Sequence, residues 1–172
     1  MFLLRFDASH RGGEKGRMST PARPDLRFQS LADLMADVNR LRSGPYDKAG
    51  QWDLGTMLDH LAKSLGAPFV EGRKNLPWPL GPVARFVIHR FARRTTYPSI
   101  ELPVPKMIKP TPGADAEAAY AALVTAVEKL RAVPGPTIRC PPFGTLPLDD
   151  FMRIQLLHAA HHLSFLKPKS DG

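Results

Sequence analysis

Residues 156–166 read LLHAAHHLSFL, and they place half of the chain's six histidines in an otherwise apolar helical repeat. His158 and His162 are four apart, which sets both on one face of an α-helix. Their stripe runs back through Phe151 and Ile154 or Gln155 and on to Phe165, so it points toward a bundle interior. Imidazoles buried without partners cost desolvation energy. The spacing therefore reads as a pair of metal ligands. A third ligand from a facing helix would leave one coordination position open for water or substrate. His60, midway along a second apolar helix, is the candidate for that role, while His161 projects off the shared face and fits a rim or supporting hydrogen bond.

The helix expected to carry His60 has a well-defined start, WDLGTMLDHLA at 52–62. Asp53 can accept from the unpaired amides of the first turn, and Trp52 and Met57 are spaced as a hydrophobic staple. Leu54, Met57, Leu58, Leu61 and Leu65 form its buried stripe, with Gly66 as the exit. Asp59 is turned away from His60 and is expected to face water.

Outward from these two segments the rest is also helical. Leu31, Leu34, Met35, Val38 and Leu41 recur at helical intervals after Ser30, and Gly44 with Pro45 ends that run. Residues 79–94 form a third helical candidate, with Val83, Phe86, Val87 and Phe91 on one side and Arg85, Arg90, Arg93 and Arg94 elsewhere. Five prolines in residues 95–113 exclude a regular element and predict a surface strap or lid. Residues 114–133 return to helix on a spine of Tyr120, Leu123, Val127 and Leu130. After a second proline-rich connection the last helix is expected over 147–165, with Pro147 at its first position. No strand pattern competes. The chain reads as all-α, four main helices and one shorter one, joined by long proline-rich crossings.

At 172 residues the chain is long enough for one core that needs no staples. A single cysteine, Cys140, excludes a disulfide framework and a cysteine-rich metal site. No apolar run approaches the roughly 18 residues of a membrane span, so no membrane is expected and the cytoplasm is the default location. Residues 1–27 form a basic tail expected to be disordered, 28–166 the bundle, and 167–172 a short C-terminal tail. The segment MSTPARPD at Met18 resembles a natural start, which leaves initiation at Met1 or Met18 open. A net charge of +8 suits anionic small molecules. Nucleic-acid binding is not expected, because no aromatic-interleaved basic strand or recognition helix accompanies the charge.

Two motifs, WDLGTMLDHLA (52–62) and HAAHHLSF (158–165), with the Pro-Phe-Gly turn in CPPFGTLP (140–147), resemble the DinB-like superfamily, in particular an uncharacterised branch of it. The resemblance covers about residues 28–166 and implies an up-down-down-up four-helix bundle. It also implies one metal-ligand histidine on the second helix and a pair on the last, which fall on His60, His158 and His162. Some relatives in that superfamily are thiol-dependent transferases or isomerases. Two features depart from the pattern. Leu146 replaces the usual Ser or Thr before the last helix, with Thr145 a candidate substitute cap, and Leu163, Ser164 and Phe165 replace residues common in catalytic members.

Three imidazoles suit zinc, nickel or iron without choosing between them. A low-molecular-weight thiol is a candidate cofactor, and Arg85, Arg90, Arg93, Arg94, Lys106 and Lys109 could attract an anionic one. No general acid or base stands out; Cys140, His89 and His10 read as structural or incidental. Three functions stay open: a metal-dependent transferase or hydrolase acting on a small molecule, a non-catalytic metal-binding or stress-associated protein, and a structural bundle with an interaction role. A homodimer is the mild expectation for assembly.

Overall fold

The structure, a computed structural model, describes residues 20–72, 74–76, 80–95, 97, 106–141 and 143–169. Its helices are α1 (Leu31–Arg42), α2 (Leu54–Gly66), α3 (Leu80–Ala92), α4 (Ala116–Arg131) and α5 (Leu148–Leu163). Helices α1, α2, α4 and α5 form the four-helix bundle, and α3 is the additional short helix, packed on α5.

Three of these helices begin where a side chain accepts amides that the helix itself leaves unpaired. Ser30 and Asp33 make a reciprocal capping box at α1, Asp53 accepts from Thr56 N at 2.8 Å, and Asp115 accepts from Ala118 N at 2.8 Å. The leucine stripes then meet. Leu34, Val38 and Leu41 of α1, Leu58, Leu61 and Leu65 of α2, Leu123 of α4 and Leu163 of α5 are all buried in one core. Helices α2 and α4 pack most extensively, and at Gly55 the approach admits no side chain. A Cβ there would stand 2.0 Å from the Ala114 carbonyl oxygen.

Strands not foreseen in the sequence close the bundle's ends. Strands β1 (Tyr46–Lys48) and β4 (Leu166–Pro168) pair antiparallel, Tyr46 opposite Pro168; β2 (Thr137–Arg139) and β3 (Thr145–Pro147) pair likewise, Ile138 opposite Leu146. Three residues per strand are too few for periodicity to register. The second ribbon also corrects the expected start of α5. Thr145 and Leu146 lie in β3, Pro147 is the residue before the helix rather than its first, and no side chain caps it. Instead the Leu148 amide donates to the Pro136 carbonyl at 2.8 Å, and Asp149 and Asp150 face the positive end of the helix. Gly144, at φ +85°, leads the chain into β3, and the Phe143 amide donates back to the Cys140 carbonyl at 2.8 Å.

Gly66 is the last residue of α2, as expected; it stays helical at φ −78°, and the chain tightens into a 3₁₀ turn, Ala67–Phe69. In α3 three members of the expected apolar side, Val83, Phe86 and Val87, are exposed and Phe91 is half-buried, whereas Ile88 packs on the core and Ala92 is buried. Both stripes have helical spacing.

The residues ahead of α1 are docked from Arg23 onward. The Arg23 guanidinium pairs with buried Asp37 at 2.6 and 2.9 Å and donates to the Leu163 carbonyl at 2.8 Å, while its amide donates to Ser164 O at 2.8 Å. Arg40 completes the ion cluster on Asp37. These bonds fix the C-terminal end of α5. The expected start at Met18, and His10, fall outside the described residues.

Replacing Gly55 by Ala is expected to cost about 1–3 kcal/mol of stability through overpacking against the 114 backbone. A urea midpoint equal to that of the parent protein would contradict the close approach.

Candidate metal centre

Helices α2 and α5 face each other across the core, and this brings the three histidines singled out by spacing together. His60 comes from the middle of α2, and His158 and His162 from consecutive turns of α5. Their Nε2 atoms converge: His60 to His158 at 3.1 Å and His162 to His158 at 2.9 Å. One ligand atom from each lies within 4.8 Å of the others, an arrangement that could hold a metal ion. Ligands at about 2.0–2.1 Å from a tetrahedral ion stand about 3.3 Å apart. The His60–His158 and His162–His158 spacings need to open by only a few tenths of an ångström.

The outer nitrogen of His60 settles where its proton is. His60 Nδ1 lies 2.6 Å from the Ile108 carbonyl, which can only accept, so in the neutral ring Nδ1 carries the proton and Nε2 a lone pair. On the other side of the cluster Ser64 Oγ donates to Gln155 Oε1 at 3.0 Å and lies a long 3.4 Å from His158 Nδ1. The His60 lone pair, His158 Nε2 and His162 Nε2 share one space, which a cation can fill.

A proton is a poor candidate for that cation. Burial drives the His158 pKa down to about 3, with mutual repulsion from His60 and His161 adding to it. Burial and the neighbouring imidazoles also hold His162 well below its ordinary value. Burial lowers His60 as well, although its bond to Ile108 opposes the shift. Three neutral imidazoles at neutral pH are the protonation state in which histidine binds metal.

Aromatic rings wall the cluster. Trp52 stacks on His162 with centroids 5.1 Å apart and meets His60 edge-on at 5.4 Å. Tyr97 lies 5.3 Å from His158 and stacks on His161 at 5.0 Å. His161 is thus half-buried between Tyr97 and Phe165, outside the converging group, and burial lowers its pKa. Burial raises the Tyr97 hydroxyl pKa. Among the six cationic residues expected near the mouth, Arg94 is linked to the site through rings: its guanidinium sits over Phe91, Phe91 meets Tyr97, and Tyr97 meets His158. Arg85, Arg90 and Arg93 are exposed on or just past α3 and Lys109 is exposed beyond it; the Lys106 side chain lies outside the described residues.

Other expected residues find different work. Asp59 does not face water alone but accepts from Lys63 Nζ and from Thr111 N, both at 2.7 Å. Burial pushes its pKa up, and those two bonds more than offset the rise. His89 is structural: its Nδ1 lies 2.5 Å from Asp150, joining α3 to the first turn of α5. Cys140 is buried in the turn between β2 and β3. Sequence reading placed Gln155 only as a stripe residue and missed Ser64, Tyr97 and the Ile108 carbonyl. Ser64 lies one turn after His60 and Gln155 one turn before His158, so helical spacing could have found both. Nothing in the sequence marks a backbone carbonyl, and Tyr97 sits in a proline-rich stretch without period.

Fold and site together define a DinB-like four-helix bundle with a buried three-histidine cluster. Residues 20–169 match the family described as Protein of unknown function (DUF1569), within the broader DinB-like clan, and the chain belongs to that family. No curated protein and no solved structure matches it.

The depressed histidine pKa values carry a sign for stability. An unfolded histidine binds a proton below about pH 6.5, whereas the folded cluster refuses it, so acid favours unfolding. With divalent ions removed by chelation, the thermal midpoint is expected to fall steadily as the pH drops from 6.5 toward 4, and less steeply in His158→Gln. A midpoint flat across that range would contradict a neutral, buried cluster.

Proposed function

We propose that His60, His158 and His162 ligate one divalent transition ion through Nε2 and that the ion serves small-molecule chemistry. The observation that carries this reading is the convergence of three Nε2 atoms, one of which, on His60, is left as a lone pair by the Nδ1 bond to Ile108.

A bound ion of this kind supplies Lewis acidity, lowering the pKa of a water or a thiol in its remaining position toward neutrality. The chain's own contribution is orientation and exclusion. Ile108 and the Ser64–Gln155 pair hold two rings with Nε2 inward, and Trp52 and Tyr97 keep bulk water from their faces. Transfer or hydrolysis of a small electrophile with a low-molecular-weight thiol is the activity this supports. Arg94, two rings from His158, is placed to attract an anionic thiol. Zinc, nickel and iron all suit three imidazoles. The absence of a membrane-spanning helix among the described residues fits a cytoplasmic setting for such chemistry.

One observation favours a second reading, a metal-binding protein without turnover. Asp59, the carboxylate next to a ligand, is committed to Lys63 and Thr111, and no carboxylate belongs to the converging group. Thiol-dependent consumption of an electrophile that stops on chelation supports the enzyme; metal uptake with no turnover supports the second reading.

Purified without a histidine tag, the protein is expected to hold about one equivalent of metal. His60→Ala, His158→Ala and His162→Ala should each lose most of it, and His89→Ala should keep it. Equal occupancy in all four variants, read by elemental analysis, would overturn the assignment.

A further inference from the structure

Four residues on one face of α2 are bonded to the chain just before α4. Thr56, Asp59, His60 and Lys63 fall at intervals of three and four, so their side chains line two turns of a single helix surface. Thr56 Oγ1 accepts from Gly113 N at 3.1 Å, and Asp59 Oδ2 accepts from Thr111 N at 2.7 Å. His60 Nδ1 donates to Ile108 O at 2.6 Å. Lys63 Nζ donates to Asp59 Oδ2 at 2.7 Å, to Thr111 Oγ1 at 2.8 Å and to Lys109 O at 3.1 Å. All three ammonium protons therefore have acceptors.

This stitching has a direction. A segment with Pro110 and Pro112 cannot form ladder bonds of its own at those positions, so its backbone groups must find partners on a neighbour. Asp59 and Lys63 supply them on both sides of the peptide groups that follow Ile108. The Ile108 carbonyl is in turn the only acceptor that fixes the His60 ring among its described bonds. If that carbonyl moved by an ångström, His60 would be released to rotate or to change tautomer, and its Nε2 would leave the cluster. Partners that orient a metal-bound histidine through its outer nitrogen typically contribute 10–100-fold in metal affinity.

We infer that Asp59 and Lys63 are positioning residues for the metal centre: by clamping residues 109–111 they set the Ile108 carbonyl, and through it the orientation and tautomer of His60. The inference rests on the metal reading above for its consequence, but the link from clamp to His60 stands on its own geometry. Neither residue touches the ion. Their effect passes through one backbone carbonyl.

Two measurements on the full chain test this. In protein freed of divalent ions, the His60 Nδ1 proton is expected as a slowly exchanging downfield resonance, assigned by its loss in His60→Gln. Asp59→Ala and Lys63→Met should each broaden or abolish it, whereas Asp59→Asn, which keeps an oxygen for Thr111 N, should retain it. Cobalt(II) titration, followed by its visible absorption, should show affinity at least about tenfold weaker in Asp59→Ala and Lys63→Met, with Asp59→Asn near the parent. Glu117→Ala, which breaks the Arg42 ion pair away from this strap, serves as the control for general loosening and should change neither readout. If Asp59→Ala does not fold, Lys63→Met and Asp59→Asn still decide the matter. An unchanged proton resonance and unchanged affinity in Lys63→Met would overturn the positioning role while leaving the metal reading intact. A parent protein that shows the resonance but takes up neither cobalt nor zinc would instead overturn the metal reading and, with it, the proposed consequence of the clamp.

Discussion

Three imidazole Nε2 atoms converging at the edge of the core form the constraint on which this molecule turns. His60 gives the proton of Nδ1 to the Ile108 carbonyl, so its Nε2 enters the 3.1 Å contact with His158 as a lone pair, and His162 Nε2 stands 2.9 Å from His158 beside it. A buried acceptor without a donor costs about 1–3 kcal/mol. Trp52 and Tyr97 lie against the rings. The cluster does not take up a proton near neutrality, because burial holds the pKa values down.

The rest of the fold secures the two helices that carry this arrangement. Helix α5 is held at its start by the Leu148–Pro136 bond and the His89–Asp150 contact, and at its end by Arg23. Helix α2 is capped by Asp53 and packed against α4 so closely that Gly55 has no room for a methyl group. With both helices fixed along their lengths, the three histidines are held at close quarters. The outer hydrogen bonds then select which nitrogen faces inward. Packing sets the distance, and the polar partners set the chemistry.

Much of this was legible in the sequence, and the parts that were not have physical reasons. The four-residue spacing of His158 and His162 and the apolar stripe around His60 pointed to the three side chains that α2 and α5 bring together. Caps at Ser30 and Asp53 marked helix starts because a short polar residue before an apolar repeat has few other uses. The two ribbons escaped notice, since three-residue strands leave no pattern. The orientation of α3 is not legible in the sequence because two apolar stripes compete in it. Asp59 was assigned to water from its angle on the helical wheel, which says nothing about a strap returning from fifty residues away. The Ile108 carbonyl, which orients the His60 ring, carries no side-chain signature at all.

Membership of a family without an assigned activity leaves the chemistry to be read from the site, and the site makes a definite demand on its occupant. Crystals grown with zinc, with data collected on both sides of the zinc absorption edge, test that demand most directly. One anomalous peak is expected, bonded to Nε2 of His60, His158 and His162 at about 2.0–2.1 Å, with His60 Nδ1 still on the Ile108 carbonyl. A pocket that stays without anomalous density while zinc is abundant, or an ion bound to other side chains with these three rings turned apart, would contradict it.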